Sequence, residues 1–79
     1  MKLTYDPGAN IAYIALRAKK GKVRTIAVSD ELNVDVARDG SIYGIELLNA
    51  NEQLAARKSL SLRVENKASG ESKEIALAV

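Results

Sequence analysis

The stretch from Leu32 to Leu48, LNVDVARDGSIYGIELL, restricts this chain more than any other. Apolar and polar residues alternate on both sides of Asp39-Gly40, a pair with turn chemistry, so the stretch reads as a β-hairpin. A loop of two or four residues sets Leu32 opposite Leu47, Val34 opposite Ile45 and Val36 opposite Tyr43, all on one face. Asn33, Asp35, Ala37, Ile42, Gly44 and Glu46 then share the other. A three-residue loop with a bulge at Gly40 pairs Leu32 with Glu46. It mixes a carboxylate into the apolar face, which makes it the poorer register.

Further strands surround this hairpin. Lys2 to Tyr5 is short, and Asp6-Pro7-Gly8-Ala9-Asn10 turns the chain. Ile11 to Arg17 is apolar on both faces, the pattern of a strand inside a sheet. Val23 to Val28 follows a basic loop. Short links between successive strands predict an antiparallel meander from Lys2 to Leu48. Beyond it, Asn49-Ala50-Asn51 has the residue types of a helix start, and a helix of about two turns is expected over residues 51–58. Leu60 to Asn66 and Lys73 to Val79 alternate again around KASGES and read as a second hairpin. The expected class is α+β, dominated by an antiparallel β-meander with one short helix and a C-terminal β-hairpin. It forms a single domain over residues 1–79, built from segments 1–50, 51–58 and 59–79.

Seventy-nine residues cannot bury a large core, and an open sheet of this size leaves an apolar face to cover, so a homo-oligomer or a small protein partner is expected. Twelve basic residues against ten acidic ones leave a net charge of +2, too little to imply a nucleic-acid ligand by itself. The absence of cysteine excludes disulfides, thiolate metal sites and thiol catalysis, and the absence of histidine removes the usual general base. No run is long enough to span a membrane, and MKLTYDPG has no apolar signal stretch; a cytoplasmic protein is expected.

Two constellations could carry chemistry. Asp35 and Glu46 share the polar face of the central hairpin, with Asn33 directly opposite Glu46 and Asp35 opposite Gly44. Two carboxylates and an amide on one strand pair could hold a divalent cation or act as acid and base. The plainer reading is a solvated face, with Gly44 making room for a tyrosine ring. The second constellation is Arg17, Lys19, Lys20, Lys22 and Arg24, five positive charges on what reads as a hairpin loop and its strand ends. It is a candidate phosphate-contacting finger, or else an ordinary loop whose lysines guard a sheet edge. Asp39 and Gly40 read as turn chemistry. No residue stands out as catalytic, no metal-ligating set is assigned, and no cofactor is implied.

The first fifty residues resemble a family of small bacterial and archaeal proteins, the YuzE-like domain of unknown function. The resemblance is carried by LTYDPGANIAYIALR at Leu3 to Arg17 and NVDVARDGSIYGIELLNA at Asn33 to Ala50. Its elements are Tyr5-Asp6-Pro7, Tyr13 in an apolar strand, Asp35, the Asp39-Gly40 turn, and Gly44-Ile45-Glu46 closing through Leu47 to Ala50. Asn10 stands where the family usually has Asp, and Gly8 where a polar residue is common. The resemblance implies a protein-binding role, antitoxin-like in some members. The expected function is therefore a small non-enzymatic interaction module that binds a protein or a second copy of itself. The alternatives are nucleic-acid binding through Arg17–Arg24 and a carboxylate-based metal or catalytic site at Asp35 and Glu46.

Overall fold

The computed structural model describes residues 1–18 and 21–79. Strands β1 (Lys2–Asp6), β2 (Ile11–Ala15), β3 (Val23–Ser29), β4 (Leu32–Ala37) and β5 (Ile42–Leu48) form one antiparallel sheet in the order β1-β2-β5-β4-β3. A single helical turn, α1 (Ala50–Gln53), follows, and β6 (Ser59–Glu65) pairs with β7 (Ser72–Ala78) as a separate hairpin.

This order corrects the expected meander. β2 pairs with β5, and β3 occupies the far edge. Strands β2 to β5 thus form a Greek key with its long connection first. A meander would place β3, with Arg24 and Thr25, in the interior and leave the apolar edge of β5 open. The observed order instead gives the interior to β2, apolar on both faces, and to β5, exposed only at its first residue, and sends β3, exposed at six of its seven residues, outward. Because β2 and β3 are not neighbours, Arg17, Lys22 and Arg24 flank a connection between separated strands, not a hairpin loop.

The α+β class is also overturned: the fold is essentially all-β. The helix expected over residues 51–58 is one turn. Leu54 ends it, and Ala55 follows at φ 50°, a left-handed residue at which a helix stops. Asn49 makes no side-chain cap and is itself at φ 53°. The first helical amides turn to Asn10 instead: Ala50 N donates to its carbonyl at 3.1 Å and Asn51 N to its Oδ1 at 2.7 Å.

The register sorts the side chains into two faces. Leu3, Ile14, Ile45, Val34 and Ile26 stand opposite one another in turn, an aliphatic row across all five strands. Tyr5, Ala12, Leu47 and Leu32 form the row beside it. The other face carries Thr4, Tyr13, Glu46 and Asn33, with Gly44, Asp35 and Thr25 alongside. The central hairpin keeps its expected pairs Leu32–Leu47 and Val34–Ile45, but a bulge after Asp35 sets Val36 against Ile42, not Tyr43.

The apolar face is only partly covered. Among the described residues only Ala12, Ala50 and Ala56 are buried apolar residues, and no large side chain is fully enclosed. α1 covers the Ala12 end, where the Tyr5 hydroxyl donates to Asn51 Oδ1. The β6–β7 hairpin stands over the β1–β2 side.

Candidate interaction surface

The polar face is organised by Asp35. The Tyr13 hydroxyl donates to its Oδ2 at 2.6 Å, and Thr25 Oγ1 donates to its Oδ1 at 2.6 Å. Three strands are thereby tied through one carboxylate. Burial, then the bond to Asp35, raises the Tyr13 hydroxyl well above the usual tyrosine range. The ring lies across Gly44, where a Cβ would sit 2.6 Å from Tyr13 Cε1. Gly44 is therefore required by the close approach of the tyrosine. Tyr43, released from its expected place opposite Val36 by the bulge, has its ring centroid 6.2 Å from that of Tyr13.

Asn33 and Glu46 stand opposite each other as expected, and Asn33 Nδ2 donates to Glu46 Oε1 at 3.0 Å. Asp35 and Glu46 do share a face, but each is engaged by neighbouring side chains. Among the described residues no group of three or more acidic, histidine or cysteine side chains gathers that could hold a metal ion. Of the two partners of Asp35, Tyr13 was not legible as such. The β3–β4 pairing of a meander already sets Thr25 opposite Asp35, but Tyr13 reaches it only because β2 pairs with β5, which local alternation does not encode.

The basic constellation lies at the other functional extreme, around the β4–β5 turn. Lys22, Arg24 and Arg38 line one shallow hollow there, and Arg17 and Arg38 another with Tyr43. Arg38 joins the group because Arg17, after β2, and Lys22, before β3, both lie beside this turn. Lys19 and Lys20 lie outside the described residues. In the turn itself Gly40 has φ 88°, and Asp39 Oδ1 accepts bonds from Ser41 Oγ and N. Those bonds, with Arg17 nearby, hold the Asp39 carboxyl below its usual range.

The third surface is apolar. Leu60 and Leu77, then Leu62 and Ile75, pair across β6 and β7 and share one face with Val64; Ser61, Arg63 and Glu74 take the other. The apolar face looks onto Leu3, Tyr5 and Ile14 across an open cleft of about 440 Å³. The cleft does not bury the stripe: Ile75 is 56% exposed and Leu77 63%.

Residues 2–51 match the model of a family described as a protein of unknown function, DUF2283. The chain belongs to the DUF2283 family. The matched span covers the whole five-stranded sheet and ends at α1, so the DUF2283 part holds the Tyr13–Asp35 arrangement, while the β6–β7 hairpin lies beyond it. The match carries this description and not the YuzE-like name that the motifs resembled. No curated protein and no solved structure matches the chain. No helix of the described residues is long and apolar enough to cross a membrane.

Proposed function

We propose that this DUF2283 protein is a protein-interaction module that works through its apolar side, the cleft between the β1–β2 end of the sheet and the β6–β7 hairpin. The observation that carries this reading is the hairpin's aliphatic stripe, left open to solvent although a sheet face of the same character lies opposite it. Apolar area taken out of water is the dominant favourable term in protein association, at roughly 25 cal/mol per Å². The polar face supports the same reading from the other side. The hydrogen bonds of Asp35 to Tyr13 and Thr25, and of Glu46 to Asn33, tie strands together and give those carboxylates a structural duty.

A photo-reactive amino acid in place of Leu62 tests the proposal in the living cell, with Ser61 on the hairpin's opposite face as the control position. The expected result is a covalent adduct with a protein from position 62 and none from position 61. An adduct with a small toxin-like protein would make the module antitoxin-like; an adduct with its own chain would make it self-associating. No protein adduct from position 62 contradicts the proposal.

A second reading has one observation in its favour. Arg38 joins Arg17, Lys22 and Arg24 at one end of the sheet, which concentrates positive charge where a phosphate backbone could run. The basic residues Arg57 and Lys58 follow α1 at the opposite end of β5, so they do not extend that patch into a stripe.

A further inference from the structure

We infer that the partner of the apolar side is a second copy of this chain, bound about a two-fold axis so that each hairpin covers the β3–β5 part of the other's apolar sheet face. The inference rests on the interaction reading above and names the partner. Its first support is area. Folded monomers of 8.5 kDa expose about 4,700 Å² by the general scaling of surface with mass. This chain exposes 6131 Å². The excess is about 1,430 Å² per chain, or about 2,860 Å² for two, which falls within the range buried by obligate homodimers.

Shape agrees with area. The radius of gyration is 14.1 Å, where about 11.6 Å is usual for this length. The extents of 35 × 34 × 20 Å describe a plate with its hairpin held away from much of the sheet. Two plates facing each other, apolar sides inward, make the sandwich that one chain lacks.

The third support is self-complementarity. A two-fold interface needs one molecule to carry both halves of the contact. The aliphatic row runs from Leu3 to Ile26 across five strands, yet the sheet residues lining the chain's own cleft come from β1 and β2 alone. Its β3 end stays open, with Ile26 41% exposed. The uncovered half of the row and the uncovered hairpin stripe have the same aliphatic chemistry and sit on one chain. A net charge of +2 raises little repulsion between two copies, and salt screens it beyond about 8 Å.

The absence of native cysteine provides a clean test. Ile26→Cys and Leu62→Cys chains are prepared separately, checked for native circular dichroism, mixed at micromolar concentration and treated with a short bis-maleimide. The expected product joins one chain of each kind, and Ser61→Cys in place of Leu62→Cys forms little of it. Two outcomes would overturn the inference: an uncross-linked mixture that also sediments as monomer, or a dimer that joins position 26 to position 61 as readily as to 62. A monomer whose position 62 still forms an adduct with a different protein in cells would sink the second copy and leave the interaction reading standing. If no protein is captured there either, both fail.

Discussion

Tyr13 and Asp35, on non-adjacent strands, are joined by a hydrogen bond of 2.6 Å from the tyrosine hydroxyl to the carboxylate, and the same ring occupies the space that a side chain at position 44 would need. This contact locks β2 to β4 across β5. Gly44→Ala forces the ring aside, and a cost of about 1–3 kcal/mol is expected from overpacking of this kind. Urea unfolding measures it. Tyr13→Leu removes the ring, so the double variant is expected to lose much less than the sum of the two single changes. Strict additivity would show that the ring and position 44 do not meet.

The same hydroxyl makes stability depend on alkaline pH. In the unfolded chain Tyr13 loses its proton near pH 10; in the fold it holds that proton to higher pH. Above pH 10 the unfolded state therefore binds fewer protons than the native one, and stability falls as pH rises. The contribution is fully present below pH 10. Urea midpoints between pH 8 and 11 are expected to decline less steeply in Tyr13→Phe than in the wild type. Parallel declines would contradict the assignment.

Gly40 tests the turn. At φ 88° a β-branched residue is strained, and no atom of the fold lies near enough to a Cβ there to add a clash. Gly40→Val is expected to destabilise by more than about 1 kcal/mol through backbone strain alone, read from the urea midpoint. An unchanged midpoint would mean that the turn adopts another conformation.

The central hairpin is legible in the sequence as far as Asp35–Gly44, because turn chemistry and strict alternation are local signals. It fails at Val36. A bulge adds one residue without disturbing the apolar pattern, and Tyr43 thereby changes neighbours. The β2–β5 pairing was hidden for a different reason: chain order favours neighbouring strands, while the burial demands of Ile14, Ile45 and Leu47 decided the outcome. Alternation puts Asp35 and Glu46 on one face, as observed, and the β3–β4 pairing of a meander already sets Thr25 beside Asp35, but Tyr13 reaches Asp35 only through the β2–β5 pairing. Asn51 to Lys58 has helical residue types, and nothing local marks Ala55 as left-handed, so the sequence suggests a longer helix than forms.

The basic end of the sheet is expected to bind nucleic acid only non-specifically. Short duplex and single-stranded probes should bind at physiological salt no tighter than about 10⁻⁴–10⁻⁶ M. Replacing Lys19, Lys20 and Lys22 together by Gln should leave the chain's self-association unchanged. Sub-micromolar binding that weakens steeply with salt and disappears in the triple variant would reverse the order of the two readings.

Sedimentation equilibrium at micromolar concentration tests most directly whether the apolar side is an interface. The wild-type chain is expected near twice its 8.5 kDa mass. The Leu62→Asp/Ile75→Asp variant, which sets charges on the exposed stripe and leaves the sheet intact, is expected at the single-chain mass with unchanged circular dichroism. A wild type that remains at 8.5 kDa across the range, or a variant that stays dimeric, would contradict the account.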